Sequence, residues 1–218
     1  MNTYIDHTLL NADATLKQVH NICEEAIAYK FATVCINSSY VKEASELLKD
    51  SESKVCTVVG FPLGACTTRA KVEEAKQAIA DGASEIDMVI HQGKLKAKDF
   101  DYVQTDISAV KKAIGKHTLK VILEICNLSD KEIAVACKLS EKANADYVKT
   151  STGFGSHGAT LEAVKIMKDN ISDKVKIKAS GGIRDSETAK KYIDLGVSRI
   201  GASAGIAIVK GKSSNSTY

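Results

Sequence analysis

Gly82-Ala83-Ser84-Glu85-Ile86-Asp87 ends one predicted helix and begins a predicted strand, and the same plan returns at residues 144–149 and 196–201. In each of the three joins a glycine or an asparagine ends the helix in a left-handed conformation, and an aliphatic residue then enters the sheet. The sixth residue of each join is a candidate for function on other grounds: Asp87, Lys149 and Gly201. The recurrence indicates that helices and strands alternate in a regular order.

Short β-branched runs alternate with amphipathic helical patterns along the whole chain. Between Phe100 and Ile114 the apolar residues recur three and four positions apart, and Ser129-Asp130-Lys131-Glu132 is a capping box that begins another helix. Eight runs are predicted strands, at residues 4–8, 32–37, 55–61, 85–90, 120–125, 147–150, 175–179 and 199–202. This alternation is typical of a parallel sheet covered by helices.

Eight strand–helix units without a break in composition predict one α/β domain, a (β/α)8 TIM barrel whose active site lies at the C-terminal ends of the strands. We expect the barrel to occupy residues 1–210 and the polar residues 211–218 to form a mobile tail. A doubly wound open sheet is the alternative fold, since it is also built from alternating strands and helices.

Composition narrows the class of protein. The 218 residues carry a net charge of +3, from 30 basic and 27 acidic side chains, and the basic residues are dispersed over predicted helix faces. This dispersal indicates solvated helix surfaces and argues against a nucleic-acid-binding patch. No apolar stretch reaches the length of a membrane span, and the N-terminus has no signal-peptide features, so we expect a cytoplasmic protein.

Cysteine and histidine spacing gives no sign of a metal site. The six cysteines form no CxxC pair and fall mostly in apolar runs, and the five histidines form neither an HxxxH nor an HxH pair. We therefore predict buried free thiols in a reducing compartment and no bound metal.

Three ionisable residues stand in strands that should be buried. Residue parity turns Asp87, Lys149 and Lys178 into the barrel, while their aliphatic neighbours face the helices. Burial disfavours an ammonium ion, and a neighbouring cation disfavours it further, which prepares a lysine to attack carbonyls. Taken singly, each residue would also fit an exposed strand end, but together they predict Schiff-base chemistry. Glu124 could join this network or could be a structural acid paired with a barrel lysine, and we predict the second.

Glycine-rich loops follow the last strands. Gly181-Gly182-Ile183-Arg184 leads to a helix capped by Asp185 or Ser186, and Gly201-Ala202-Ser203-Ala204-Gly205 opens the last helix. Their backbone N–H groups predict a phosphate site, although tight turns alone would also require glycine. The GxGxxG at residues 153–158 follows a strand that carries a lysine, in the sixth unit. We therefore interpret it as a substrate loop rather than as a dinucleotide fingerprint.

Motifs along nearly the whole chain match one enzyme family in the family's order. The most specific are Val148-Lys149-Thr150-Ser151-Thr152-Gly153 and Lys178-Ala179-Ser180-Gly181-Gly182-Ile183-Arg184. The remaining segments lie at residues 5–10, 34–37, 58–64, 85–89 and 199–203. In all of them the chain resembles the bacterial 2-deoxyribose-5-phosphate aldolases.

The resemblance implies a cofactor-free class I aldolase on a TIM barrel, which reversibly cleaves 2-deoxy-D-ribose 5-phosphate to D-glyceraldehyde 3-phosphate and acetaldehyde. Lys149 matches the family's Schiff-base lysine, and Asp87 and Lys178 match its proton-transfer pair. The resemblance further implies a substrate pocket lined by Asp6, Thr8, Cys35 and Thr152, and phosphate-binding loops that contain Gly153, Gly181, Gly182, Gly201 and Ser203.

The chain departs from the family pattern at a few positions. Ser38 stands where a proline is common, Ile125-Cys126 where threonine is usual, and Ala204 replaces a second serine of the phosphate loop. These departures leave the catalytic residues intact but bear on phosphate affinity. The chain ends in Tyr218, as many family members end in tyrosine. We predict that the tail folds over the barrel mouth and that the phenol assists proton abstraction, with a disordered end as the alternative.

Two other functions fit parts of this pattern. A transaldolase or a ketose-bisphosphate aldolase would use the same lysine with a ketone donor, whereas a non-catalytic sugar-phosphate-binding barrel would bind without turnover. The buried lysine pair favours an enzyme. We expect small-molecule substrates, no nucleic-acid or membrane partner, and a homodimer as the assembly to consider.

Overall fold

The computed structural model describes residues 1–214 and has a closed barrel of eight parallel strands in chain order. The strands are β1 Ile5–Leu9, β2 Thr33–Ile36, β3 Lys54–Val59, β4 Glu85–Val89, β5 Thr118–Ile122, β6 Tyr147–Lys149, β7 Lys176–Ser180 and β8 Arg199–Ala202. The helices are α1 Leu16–Tyr29, α2 Val41–Leu48, α3 Thr68–Ala80, α4 Gln92–Lys96, α5 Phe100–Ile114, α6 Asp130–Lys142, α7 Leu161–Asp169, α8 Ser186–Asp194 and α9 Gly205–Val209. Short 3-10 helices lie at Asn2–Tyr4, Ser38–Tyr40 and Ile125–Asn127.

Closure of the sheet confirms the predicted TIM barrel. β8 pairs with β1, with Ile200 opposite Ile5, so the sheet has no open edge and the doubly wound alternative is wrong. The GxGxxG segment accordingly lies in the loop between β6 and α7 of a barrel, and not in the first unit of a dinucleotide-binding sheet.

The predicted strands are all present, and their ends differ by a few residues for local reasons. β3 ends at Val59, two residues earlier than predicted, because Gly60 has a positive φ of 63°. β5 ends at Ile122 because Glu124 takes a left-handed conformation, with φ 58° and ψ 65°, and begins a 3-10 helix. The recurring joins are confirmed by positive φ at Gly82, Asn144 and Gly196.

Helix ends and helix faces also follow the sequence. The capping box of α6 is present: the Ser129 hydroxyl accepts from the Glu132 N–H at 3.4 Å, and the Glu132 carboxylate accepts from the Ser129 N–H at 2.8 Å. In α8 the cap is Asp185, whose carboxylate accepts from the Thr188 N–H at 2.7 Å. The apolar stripe of α5 is buried from Val103 to Ile114. These contacts fix where each helix begins and which face meets the barrel.

The apolar core lies between the barrel and the helices. Outward-facing strand residues such as Ile86, Val148 and Ile177 join one large buried cluster with the inner faces of the helices. Inside the barrel the apolar cluster is small: Leu10, Cys35, Cys56 and Val58, with Phe61 packed against it. Barrel interiors of this type are usually filled by branched aliphatic residues. Much of this interior holds charged groups instead, including Asp87 and Lys178, which are fully buried.

The described chain ends against the loop that precedes α8. Ser213 forms an antiparallel bridge with Asp185, and the Ser214 N–H donates to the Arg184 carbonyl at 3.1 Å. Tyr218, for which the sequence predicts a role at the barrel mouth, lies outside the described residues. Within residues 1–214, no helix has the length and apolar character that crossing a membrane requires.

One buried ion pair joins two helices behind β4. The Lys71 ammonium of α3 lies 2.6 Å from the Asp106 carboxylate of α5 and donates to the Val89 carbonyl at 2.9 Å. The Lys71 side chain is fully buried and that of Asp106 is 1% exposed. Removing one partner of such a pair leaves an uncompensated charge, which costs more than replacing both partners by apolar residues.

We therefore expect Asp106→Ala to lower the free energy of unfolding by about 3–5 kcal/mol, as measured by urea denaturation. The double variant Lys71→Met/Asp106→Leu should recover most of that loss, because it leaves no charge behind. Glu73→Ala, which breaks the solvent-exposed Lys76–Glu73 pair, is the matched control and should cost less than about 1 kcal/mol. A double variant no more stable than Asp106→Ala would contradict this account.

Candidate active site

Asp87, Lys149 and Lys178 meet inside the barrel, as strand parity predicts. Asp87 comes from β4, Lys149 from β6 and Lys178 from β7, where the two lysines are paired in register. The Lys149 ammonium position lies 2.8 Å from Asp87 Oδ2, and Lys178 Nζ lies 2.7 Å from the same oxygen. Lys149 is 2% exposed and the other two residues are fully buried. The three side chains therefore form one contact group shielded from bulk water.

Asp87 is the centre of this group because both of its oxygens accept several donors. Oδ2 faces Lys149 and Lys178, while Oδ1 accepts from Lys120 Nζ at 2.7 Å and from the Cys56 thiol at 3.1 Å. Burial alone would raise the pKa of Asp87, but the ammonium groups of Lys120 and Lys178 hold the pKa of that carboxyl well below its usual range. Asp87 is therefore an anion at neutral pH.

Lys120 is a member of the site that the sequence analysis missed. It lies in β5 between Leu119 and Val121, and its fully buried side chain reaches Glu85 at 2.6 Å as well as Asp87. The signal was the same alternation that singled out Lys178, a lysine between two aliphatic residues of a strand. In the described part of the chain, β5 is not followed by a glycine-rich loop that would have indicated a functional strand end.

Lys178 also contacts a second group of charged side chains, on the side away from Lys149. Its ammonium group is 2.5 Å from Asp6 Oδ2, and Arg199 donates to the carboxylates of both Asp6 and Glu85. Burial alone would lower the pKa of Lys178, but Asp6 and Asp87 hold it well above the usual value. For Asp6, burial would raise the pKa, yet Lys178 and Arg199 hold that pKa far below normal. Arg199 and Glu85 were also missed, since each is followed by an aliphatic residue in an ordinary strand start.

The charges in this interior balance without a proton on Lys149. Three carboxylates, those of Asp6, Glu85 and Asp87, meet three cations other than Lys149: Lys120, Lys178 and Arg199. A fourth cation in the same low-dielectric volume would lack a counter-charge, and unpaired buried charges are costly. In this count, which covers residues 1–214, Lys149 is the one basic side chain of the network that has no carboxylate of its own.

Thiol and carboxylate groups also make two sites where a cation could bind among the described residues. Cys35, Cys56 and Asp87, and likewise Asp6, Cys56 and Glu85, bring ligand-type atoms within 4.8 Å of one another. Lysine ammonium groups already contact both oxygens of Asp87, so a metal ion would have to displace them.

The predicted pocket residues lie around this network at different depths. Asp6 lies beneath the lysines as an ion-pair partner. Thr8 donates its hydroxyl proton to the Asp6 carbonyl at 2.8 Å, and Cys35 is fully buried in the small apolar cluster inside the barrel. Thr152 follows β6, with its N–H donating to Glu124 Oε1 at 3.1 Å and its hydroxyl to Glu124 Oε2. Of the four, Asp6 is thus part of the ion network, while Thr8 and Cys35 lie on β1 and β2 and Thr152 lies just after β6.

Glu124 does not have the partner that the sequence analysis predicts for it. The prediction of an ion pair with a barrel lysine is wrong, because the left-handed backbone at Glu124 turns its carboxylate away from the strand and toward Thr152. This contact holds the start of the β6–α7 loop. A strand-parity argument fails here because Glu124 is no longer in the strand.

Two glycine loops lie against each other beside the site. Gly153, Gly181 and Gly182 all have positive φ, of 91°, 85° and 77°. The Ala159 N–H donates to the Ser180 carbonyl at 3.0 Å, and a Cβ on Gly158 would lie 2.1 Å from the Gly181 carbonyl oxygen. The β6–α7 and β7–α8 loops are therefore packed backbone to backbone, which only glycine permits.

The other two predicted phosphate-loop residues have different surroundings. A Cβ on Gly201 would lie 3.0 Å from Lys178 Cε and 2.9 Å from Ser180 Cβ, so this glycine makes room for the Lys178 side chain inside the barrel. Ser203 lies in the turn after β8 and lines a groove with His7 and Glu25. His7 faces away from the barrel interior and lies 2.6 Å from the Glu25 carboxylate.

Comparison with known proteins agrees with this geometry. Residues 1–212 match the sequence profile described as DeoC/LacD family aldolase. The deoxyribose-phosphate aldolase of Finegoldia magna is 56% identical, over 97% of this chain and 99% of that protein. That of Brevibacillus brevis is 53% identical, over 100% of this chain and 99% of that protein. The solved structure of the tetrameric deoxyribose phosphate aldolase from Aeropyrum pernix matches with a TM-score of 0.87 at 31% identity, over 96% of this chain and 89% of that chain.

The low pKa values of Asp6 and Asp87 predict how stability responds to acid. The unfolded chain protonates these carboxyls near about pH 4, whereas the fold keeps them ionised to lower pH. Their stabilisation is therefore complete at neutral pH and is lost as the pH falls below about 4. We expect the free energy of unfolding, from urea titrations, to fall toward about pH 3. In Asp6→Asn the slope should be smaller by about 1 kcal/mol per pH unit, and an unchanged slope would be inconsistent with this network.

Proposed function

The chain belongs to the DeoC/LacD family of aldolases, and from this membership we propose that it reversibly cleaves 2-deoxy-D-ribose 5-phosphate through a Schiff base on Lys149. The products are D-glyceraldehyde 3-phosphate and acetaldehyde. The observation that supports this role for Lys149 is the charge balance around it, since Asp6, Glu85 and Asp87 are neutralised by the other three cations of the network. The relatives compared above are named for the same substrate.

The cleavage begins with a carbonyl and a neutral amine. Lys149 Nζ adds to C1 of the open-chain sugar, and the carbinolamine loses water to give an iminium ion. Removal of the proton from the C3 hydroxyl then breaks the C2–C3 bond, so that C3 becomes the aldehyde carbon of glyceraldehyde 3-phosphate. The bond electrons pass to the iminium nitrogen and leave an enamine. Protonation of that enamine carbon and hydrolysis release acetaldehyde and restore Lys149.

Lys178 and Asp87 have roles that follow from their charge states. Lys178, whose pKa is raised above normal by Asp6 and Asp87 against the effect of burial, is an ammonium ion that can donate a proton to the departing carbinolamine hydroxyl. Its positive charge also disfavours a second ammonium at Lys149. Asp87 holds both lysines through one oxygen and, as a carboxylate, orients a relay water for the proton transfers.

The glycine loops supply the phosphate end of the substrate site. Gly153, Gly181 and Gly182 leave their backbones open to close approach by an anion, with α8 beginning just beyond. Gly201 and Ser203 belong to the neighbouring loop after β8. Asp6, Thr8, Cys35 and Thr152 complete the pocket between this phosphate end and the Lys149 amine.

The same proposal includes the partners of the protein, its location in the cell and its assembly. Its partners are the small-molecule substrates rather than nucleic acid or membrane, it works in the cytoplasm without a cofactor, and a homodimer is the assembly to consider. Residues 1–210 form the aldolase domain and residues 211–218 a tail, whose terminal Tyr218 assists proton abstraction at the substrate carbon. The polar composition of residues 211–218 supports this division between the domain and the tail.

The Schiff base is tested by reductive trapping. Incubation with acetaldehyde and borohydride should leave one ethyl group on the peptide that contains Lys149, because reduction makes the imine permanent. The ketone dihydroxyacetone should leave no adduct, since a ketone donor is expected of the rival aldolases. Peptide mass mapping measures both results.

Matched variants make this trapping specific. Lys149→Arg keeps a cation but removes the nucleophile, and it should abolish both the adduct and turnover. Lys165→Arg, at an exposed position of α7, is the control and should retain both. Absence of an ethyl group from the Lys149 peptide, or turnover by Lys149→Arg, would rule the proposed mechanism out.

The phosphate loops are tested by two neighbouring glycines with the same backbone constraint. A Cβ on Gly181 would lie 2.7 Å from Gly158 Cα, whereas one on Gly182 would meet nothing within 4 Å. Gly181→Ala should raise KM for 2-deoxyribose 5-phosphate about tenfold or more, a loss of about 1.4 kcal/mol, because it separates the two loops. Gly182→Ala should change KM less. Turnover of unphosphorylated 2-deoxyribose should be similar in both, and an equal loss with that sugar would contradict a phosphate role.

A further inference from the structure

Two cysteines face each other inside the barrel next to the ion network. Cys35 of β2 and Cys56 of β3 are direct register partners in neighbouring parallel strands, and both are fully buried. Their sulfur atoms lie within 4.8 Å of each other and of an Asp87 carboxylate oxygen. Neighbouring strands are about 4.8 Å apart, which falls inside the Cα separation that a disulfide requires.

The two thiols differ in acidity in the way that a nucleophile and its resolving partner do. Hydrogen bonding with Cys56 and the positive charge of Lys178 lower the pKa of Cys35 to about 7, against the opposing effect of burial. Burial, the contact with Cys35 and the negative charge of Asp87 raise the pKa of Cys56 well above its usual value. Cys35 is therefore the more acidic of the two thiols and forms a thiolate more readily, while Cys56 keeps its proton.

The other cysteines do not share this setting. Cys23 and Cys137 are buried on helices α1 and α6, where burial raises their pKa to about 11 and about 12. Cys66 and Cys126 lie on loops with at least partial exposure. No step of the proposed aldol cleavage uses the sulfur of Cys35 or Cys56, so their pairing beside Asp87 calls for a separate explanation.

We propose that Cys35 and Cys56 are a site of reversible oxidation, at which a hydroperoxide forms a disulfide that switches the aldolase off. The Cys35 thiolate attacks one peroxide oxygen, the O–O bond breaks, and Cys35 becomes a sulfenic acid while hydroxide or water leaves. The Cys56 thiol then attacks the Cys35 sulfur and expels water. Two thiols and one hydrogen peroxide thus give one disulfide and two waters, with the peroxide as the oxidant.

Access to the pair is through the mouth that the substrate uses. Cys35 is close enough to Lys149 and Lys178 for both ammonium positions to act on its pKa. The proposed reaction requires an aldehyde to reach Lys149, which is 2% exposed. Hydrogen peroxide is smaller than acetaldehyde, so it reaches the same depth, whereas bulky thiol reagents are excluded by the fully buried position of Cys35.

The disulfide would act on catalysis through Asp87. The Cys56 thiol donates to Asp87 Oδ1 at 3.1 Å and accepts from Lys120 Nζ at 3.2 Å. Oxidation removes that proton and draws the sulfur toward Cys35, so Asp87 loses a donor and Lys120 an acceptor. Because Asp87 also holds Lys149 and Lys178, the change reaches the proposed nucleophile directly.

The test uses the full-length chain in a Cys66→Ser/Cys126→Ser background, which removes the accessible thiols. Brief treatment with hydrogen peroxide at neutral pH, with a chelator present, is followed by non-reducing peptide mass mapping and by an assay of deoxyribose 5-phosphate cleavage. We expect a linked pair of peptides containing Cys35 and Cys56, and at least a tenfold loss of activity. Dithiothreitol should reverse both. The rate of inactivation should rise between about pH 6 and about pH 8, following the Cys35 thiolate.

Two further variants separate this pair from general damage. Cys56→Ala removes the resolving thiol, so its treated sample should contain no linked peptide and should not recover with dithiothreitol once Cys35 is over-oxidised. Cys137→Ser should behave like the background protein. Each variant is scored by treated activity relative to the same protein untreated, so a low basal rate does not affect the comparison.

The proposal is overturned if peroxide inactivates the background protein without a Cys35–Cys56 link, or if the link forms without loss of activity. It is also overturned if both thiols stay free under treatment that oxidises Cys66 in the unmodified chain. It rests on the proposed aldolase function only for its activity readout. Absence of cleavage before any peroxide is added would count against that function, whereas the peptide map alone decides whether the thiol pair is oxidised.

Discussion

The need to balance buried charge inside the barrel is the constraint on which the rest of this site depends. Asp87 faces three lysines, and no bulk water screens these contacts, so each partner fixes the charge of the others. With Asp6, Glu85 and Arg199 included, the sum of charges is zero only when Lys149 is neutral. A neutral amine beside an ammonium ion is what carbonyl chemistry requires, so electrostatic balance and reactivity have the same origin.

The barrel makes this balance rigid because the charged side chains are held on several different strands. Register places Lys149 beside Lys178 and Asp87 beside Lys120, so the side chains cannot separate unless strand pairing is broken. Gly201 contributes by lacking a Cβ where the Lys178 stem passes. The apolar core lies outside the barrel, against the helices, and it stabilises the fold without filling the interior. The outward faces of the strands thus stabilise the fold, and the inward faces of the same strands hold the charged residues of the site.

Most of the fold could be predicted from sequence, because alternation and helix joins are local signals. Strand parity alone predicts that the side chains of Asp87, Lys149 and Lys178 point into the barrel. It did not single out Lys120, although that residue has the same pattern, because only the register of β5 against β4 places Lys120 beside Asp87. The prediction for Glu124 is wrong for a different reason. Its left-handed backbone lies beyond the end of β5, so strand parity does not give the direction of its side chain. Local sequence patterns do not show which residues of different strands lie side by side, or where a single residue reverses the backbone.

The central claim is the distribution of protons within the network, and neutron diffraction from deuterated crystals at neutral pH would observe it most directly. The account predicts two deuterons on Lys149 Nζ, three on each of Lys120 Nζ and Lys178 Nζ, and none on the carboxylate of Asp87. Three deuterons on Lys149 Nζ, or a deuteron on Asp87, would contradict it, because the charge balance would then be reached in another way and Lys149 would not be ready to react.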